Sequence, residues 1–118
     1  AYTVASHVDI IEREHGLPIG RIMLVGGGTK NPVWMQAIAD VCGREVSVAK
    51  VTVGACFGDA IMAALAGGAH ASWDELAQVL GVAQTIVPDM AARELYASRR
   101  HIFDELYARN RDLMHELV

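Results

Sequence analysis

From Arg21 to Asp40 the chain reads RIMLVGGGTKNPVWMQAIAD: a short apolar run, three consecutive glycines, then an amphipathic segment opened by Asn31-Pro32. Ile22–Val25 is expected to be a strand and Gly26–Gly28 a tight turn. Pro32 suits the first position of a helix, where its missing N–H is not needed, and Asn31 suits the cap before it. That helix should run from about Pro32 to Val41 and stop at Gly43, with Val33, Trp34, Ala37, Ile38 and Val41 on its buried side. Such a junction aims free backbone N–H groups at one place, where the helix dipole also favours negative charge. Glycine removes the side chains that would block a ligand's approach. A nucleotide phosphate or ribose at this turn is the first functional expectation.

The flanking segments predict a parallel α/β layer. Val4, Val8, Ile11 and His15 recur at helical spacing over Tyr2–His15, with Gly16 as the stop and Pro18 as the breaker. The unbroken apolar run of Ile22–Val25 implies a strand covered on both faces. Val46 and Val48 mark a second short strand, so helix, strand, helix and strand alternate and suggest parallel crossovers. Gly54–Ala66 reads as a helix with unusually small side chains, ended by Gly67-Gly68. Interior glycine costs a helix roughly 1 kcal/mol relative to Ala, so a closely packed neighbour is expected there. Ser72 and Glu75 have the spacing of a capping box for a helix to about Leu80, burying Leu76, Val79 and Leu80. Gln84–Val87 should be extended before Pro88. Asp89 caps the last helix, about Met90–Leu117. Its apolar stripe is Leu95, Ile102, Leu106, Leu113 and Leu117, widened by Phe103 and Met114, with Tyr96 and Tyr107 beside it. At 1.5 Å per residue this helix is roughly 40 Å long, so it either crosses the whole sheet or reaches beyond these residues.

Composition narrows the function classes. Hydrophobic residues make up 53%, enough for one core, and the net charge of −4 with no basic block speaks against a nucleic-acid surface. No apolar run approaches the roughly 18 residues a membrane helix needs; Gly54–Ala66 is too short and carries Asp59. Cys42 and Cys56 are too few for a disulfide framework, which points to a reduced, cytosolic setting. The chain opens Ala1-Tyr2-Thr3 without an initiator Met, and part of a longer protein is expected.

The glycine turn lacks the Gly-Lys-Ser/Thr of a Walker loop. It departs from the dinucleotide fingerprint too. Gly26 and Gly28 are correctly spaced, but Asn31 takes the third position, and the acid expected about 20 residues on is missing, with Glu45 at the start of the second strand and Lys50 at its end. His7, His15, His70, His101 and His115 show no metal-ligand spacing, so no metal site is expected. Asp40, near a helix end, should be solvated, while Asp59 faces either a ligand cleft or its neighbours. No Ser-His-Asp arrangement stands out. Trp34 and Trp73 read as core or rim, the cysteines as small hydrophobes, and Glu12-Arg13-Glu14 and Arg99-Arg100 as solvated helix faces.

Several stretches together carry a family likeness: Ile22–Asn31 (IMLVGGGTKN), Trp34-Met35-Gln36 with Ala39-Asp40 and Gly43, Gly54–Gly68 (GACFGDAIMAALAGG), and Pro88-Asp89 before the tyrosine-bearing last helix. In order and spacing, over nearly the whole chain, the sequence resembles the C-terminal part of the FGGY carbohydrate kinases, the group containing xylulokinase, glycerol kinase and ribulokinase. The resemblance implies an actin-like, ribonuclease-H-type ATPase fold, α/β, with helices packed on a short, mostly parallel sheet. Residues 1–118 would form the C-terminal portion of the nucleotide-binding domain, about the last quarter of an enzyme whose N-terminal sugar-binding domain lies outside them.

The cofactors implied are ATP and Mg2+, and the substrate is a hydroxyl of a sugar or polyol. Gly27, Gly28 and Thr29 would meet the phosphate and ribose, Asn31 would lie near the adenine, and Gly58 would pack near the nucleotide. The resemblance assigns Asp59 no role. The family's catalytic Asp and sugar-binding residues come from upstream, so no catalytic residue is expected here and the 118 residues alone should be inactive. Two alternatives stand beside this one: a non-catalytic nucleotide-binding or assembly module of the same fold, and a small NAD-dependent oxidoreductase. No nucleic-acid or membrane partner is expected. A homodimer through an uncovered sheet edge or apolar face is possible, in a cytoplasmic protein.

Overall fold

The computed structural model describes residues 1–70 and 72–117. In chain order the elements are α1 (Tyr2–His15), β1 (Ile22–Leu24), a 3-10 turn (Gly27–Lys30), α2 (Pro32–Cys42), β2 (Val46–Ala49), α3 (Ala55–Ala66), α4 (Trp73–Leu80), β3 (Val82–Ile86) and α5 (Met90–His115). The helix ends sit where local chemistry puts them. Gly16 and Gly43 both close a helix at φ 62°, a conformation that suits glycine. Ser72 Oγ accepts from the Glu75 N–H at 3.3 Å, and Asp89 Oδ1 accepts from the Ala91 N–H at 2.9 Å. Leu117 falls just outside α5.

The sheet has the order β1-β2-β3. β1 and β2 are parallel, with Ile22 opposite Val46 and Leu24 opposite Val48, whereas β3 runs antiparallel to β2, with Ile86 opposite Val46. β2 is therefore central and is buried at all four positions, Ser47 included. β1 is an edge strand: only Leu24 is buried, and Val25 is exposed. Double-sided burial thus belongs to the strand whose sequence alternates, because it has a neighbour on each side.

The core joins Leu24, Met35, Ile38, Ala39, Val46, Val48 and Ile86. On α2, Ile38 is buried as expected, while the rest of the expected face is corrected. Met35, Ile38 and Ala39 turn inward, while Val33 is 76% and Trp34 42% exposed. The two candidate stripes differ by one position, or about 100° around the helix. α1 lies against α2 and meets α5 through Tyr2, whose ring stacks on Phe103 at 5.2 Å and whose hydroxyl donates to the Tyr96 carbonyl at 2.8 Å.

Glu12 and Arg100, expected to face solvent, instead tie segments together. Arg44 donates to both carboxylate oxygens of Glu12, at 2.8 and 2.6 Å, and to the Ile19 carbonyl at 3.0 Å. Arg100 reaches from α5 to Ser6 Oγ at 2.9 Å and to Asp9 at 3.1 Å.

Large apolar faces stay open. In α3 only Ile61 is buried, and space is empty around Gly54 and Gly58, so the close neighbour expected for them is absent among the described residues. α5 has no buried residue, and its Leu95, Ile102, Leu106 and Leu113 stripe is exposed. In α4, Leu76 is buried and Leu80 is exposed, while the expected burial of Val79 lies outside the described side chains. The radius of gyration is 17.6 Å, against about 13.5 Å for a compact domain of this length.

Two stability results follow. Ile38→Ala should cost about 2–5 kcal/mol in urea unfolding, because Ile38 is only 1% exposed; Leu106→Ala, at a 56% exposed site, should change it by less than about 0.5 kcal/mol. The Arg44 guanidinium, followed by the Ile19 N–H, holds the Glu12 carboxyl below its ordinary 4.5. A lowered folded-state value stabilises above the unfolded value and is lost as pH falls through the folded one. Unfolding midpoints of wild type and Glu12→Gln should therefore differ most above pH 4.5 and converge as pH falls through the lower folded-state value.

Candidate functional site: the glycine turn at the start of α2

The turn after β1 is held at almost every residue. The Gly26 N–H donates to the Thr52 carbonyl at 2.8 Å, which anchors the turn to the segment following β2. Gly26 sits at φ 82°, in the region that favours glycine. Its carbonyl accepts from the Thr29 N–H at 3.2 Å and the Thr29 hydroxyl at 2.7 Å. The Asn31 N–H donates to the Gly28 carbonyl at 3.1 Å. Asn31 Oδ1 then accepts from the Trp34 N–H at 3.1 Å, the cap that the sequence predicts.

What remains available is backbone. Gly27 and Gly28 begin the 3-10 turn, so their N–H groups have no intrahelical acceptor. A Cβ on Gly27 would meet nothing within 4 Å. Gly28 differs: a Cβ there would lie 2.7 Å from Cε3 and 2.9 Å from Cη2 of the Trp34 ring, and closer still to Cζ3. The Thr29 hydroxyl is already a donor to Gly26, which leaves its lone pairs for a ligand. Asn31 commits Oδ1 to the cap, so Nδ2 is its free group. The four sequence-predicted residues Gly27, Gly28, Thr29 and Asn31 thus lie on one short turn, with Trp34 against it.

Asp40 is corrected from solvated to buried, at 3% exposure. Its Oδ1 accepts from Gln36 Nε2 at 2.8 Å and from the Asp89 N–H at 2.7 Å, while Gln36 Nε2 also donates to the Val87 carbonyl at 2.9 Å. It joins the C-terminal end of α2 to the cap of α5. The spacing of Gln36 and Asp40, four apart on one helix, was the available signal. Asp59 is exposed and does not line the apolar cleft beside α3. That cleft, of about 560 Å³, is bounded by Met23, Val25, Val53, Phe57, Ile61 and Trp73, and the turn residues lie outside it. Cys42 and Cys56 are free thiols, and partial burial pushes the Cys42 thiol above its ordinary value. Among the described residues no group of three or more His, Cys, Asp or Glu could hold a metal ion, and no helix is long and apolar enough to cross a membrane.

A strand, glycine turn and capped helix on a short sheet flanked by helices define an α/β unit of the actin-like ATPase kind. The chain belongs to the FGGY family of carbohydrate kinases: the family's C-terminal domain model matches residues 1–67. It is 31% identical over 108 residues to the L-xylulose/3-keto-L-gulonate kinase of Escherichia coli K12, a match covering 89% of this chain and 22% of that protein. The xylulose kinase of the same organism is 30% identical over 114 residues, covering 96% of this chain and 23% of the relative. Among solved structures, the xylulose kinase of Rhodospirillum rubrum superposes with a TM-score of 0.75 at 31% identity, over 97% of this chain and 23% of that one. The ligand-bound xylulose kinase of Lactobacillus acidophilus has the same fold, with a TM-score of 0.80 at 13% identity, over 99% of this chain and 24% of the other. The chain therefore spans about a fifth to a quarter of the relatives it matches. Members of the family are ATP-dependent sugar kinases, which displaces the oxidoreductase alternative.

The cap gives a direct test of the turn. Asn31→Ala should cost about 1 kcal/mol in urea unfolding, whereas Asn31→Asp, which keeps a capping oxygen, should stay close to wild type.

Proposed function

We propose that these residues are the nucleotide-holding portion of the C-terminal domain of a carbohydrate kinase, in a protein whose N-terminal sugar-binding domain lies outside them. The whole enzyme transfers the γ-phosphoryl group of Mg-ATP to a hydroxyl of a sugar or polyol. The observation that carries this reading is the fixed turn itself: two free backbone N–H groups, with open space at Gly27, at the start of a capped helix. Gly27, Gly28 and Thr29 meet the phosphate and ribose, and Asn31 Nδ2 donates to the base.

The residue types fit such a ligand. No carboxylate occurs between Gly26 and Asn31, so nothing on the turn repels a polyphosphate. Mg2+ would be held by the phosphates and by groups outside the turn, and would neutralise charge there. In-line transfer also needs a base to take the hydroxyl proton. That base and the sugar contacts come from outside the 118 residues, and the contribution of this chain is positioning. Two thiols without a disulfide fit a cytoplasmic setting. The uncovered edge of β1 and the apolar cleft beside α3 are the surfaces through which a homodimer would form.

Calorimetric titration with ATP tests the reading. Wild type should bind ATP, and Asn31→Asp should weaken binding at least tenfold while keeping its unfolding midpoint, because it removes the amide donor and adds negative charge. Equal ATP affinity in the two proteins would overturn the role of Asn31. Phosphorylation of any sugar by the purified 118 residues would overturn the assignment of catalysis to other segments.

A further inference from the structure

We propose that Trp34 is the positioning residue of the nucleotide turn, and that Gly28 is a glycine because of Trp34 rather than because a nucleotide approaches it. The three glycines then have three different reasons. Gly26 is fixed by its backbone, at φ 82°. Neither Gly27 nor Gly28 has a positive φ, so their conformations alone do not demand glycine. At Gly28 the demand is steric: the benzo edge of the Trp34 ring occupies the space a Cβ would need, so any side chain there would have to displace that ring. At Gly27 neither backbone nor neighbour makes the demand, and the approach of a ligand is what is left.

Trp34 is well placed to transmit this constraint. Its backbone N–H is held by Asn31 Oδ1, and its ring returns to Gly28, so cap, helix and turn form one closed loop of contacts. Trp34 remains 42% exposed, too open to act as a core residue. Pressed against Gly28, it limits how far the backbone N–H groups of the turn can swing. Oriented donors of this kind bind charge without first having to reorganise.

The inference rests on the reading that the turn holds a nucleotide, and a double-mutant cycle in the full chain separates the two. Gly28→Ala should lower both the urea midpoint and ATP affinity, the latter about tenfold or more. Combined with Trp34→Ala or Trp34→Leu, Gly28→Ala should cause no further loss of either. Gly27→Ala should keep the wild-type midpoint and lose ATP affinity tenfold or more. Trp34→Leu, which preserves an apolar side chain, should weaken ATP binding more than it shifts the midpoint. Equal damage from Gly28→Ala in both backgrounds, or no change of midpoint from Gly28→Ala alone, overturns the Trp34 assignment. If wild type binds no ATP, the nucleotide reading fails, while the midpoints of the double-mutant cycle still decide whether Trp34 sets Gly28.

Discussion

The contact of α2 with β2 is what the remaining structure depends on. Ile38 and Ala39 of the helix share one buried cluster with Val46 and Val48 of the strand and with Leu24 and Ile86 on either side. Those side chains fix the axis of α2, and both ends of α2 carry polar structure that needs a fixed axis. At its N-terminus is the glycine turn, with Asn31 and Trp34. At its C-terminus is Asp40, which must stay within hydrogen-bonding reach of Gln36 and the Asp89 N–H. A buried carboxylate without such donors would be strongly disfavoured. Apolar packing at the middle of the helix therefore sets the geometry of charge at both ends.

Away from that cluster the chain makes few commitments. A radius of gyration of 17.6 Å and an unburied α5 describe a molecule with much apolar surface facing outward. α3 is the clearest case. Its run of Ala, Gly, Ile, Met and Leu has the composition of a helix packed on all sides, yet only Ile61 is fully buried. The sheet shows the same imbalance, with β2 covered and β1 open along one edge. The relatives that match this chain are four to five times its length.

The features set by local chemistry were legible in the sequence. Asn31-Pro32, Ser72 with Glu75, Asp89, Gly16 and Gly43 all mark helix ends by means that need only neighbouring residues, and all lie where expected. The turn residues could likewise be named, since Gly26 to Asn31 are contiguous. Features set by distant neighbours were not legible. Val33 and Trp34 are as apolar as Met35, and which of them faces inward depends on where β2 lies. Asp40 looked solvated because its partner, the Asp89 N–H, is 49 positions away. Arg100 and Glu12 looked like surface charges for the same reason, their partners, Asp9 and Arg44, being 91 and 32 positions away. The stripe of α5 was read correctly as apolar, but no partner for it lies among the described residues.

The attachment of α5 follows from this division. Lacking a buried apolar residue, it cannot be held by the burial that holds α2. Its ties are discrete: the Asp89 cap over Asp40, Tyr96 and Phe103 against Tyr2, and Arg100 to Ser6 and Asp9. Each hydrogen bond of this kind contributes about 0.5–1.5 kcal/mol net. All these ties lie at or before Phe103. Farther along, Arg109 pairs with Glu105 and the Asn110 amide with the Leu106 carbonyl, both within the helix itself. Exposed pairs four apart add only about 0.3–0.5 kcal/mol each. The first half of α5 is thus tied to α1 and, through its cap, to α2, while the second half relies on intrinsic helix propensity and presents Leu106, Leu113 and Met114 outward. Because the anchor of that cap is Asp40 and that of the turn is Asn31, at opposite ends of one helix, a tilt of α2 that moved the turn would also strain the Asp40 bonds.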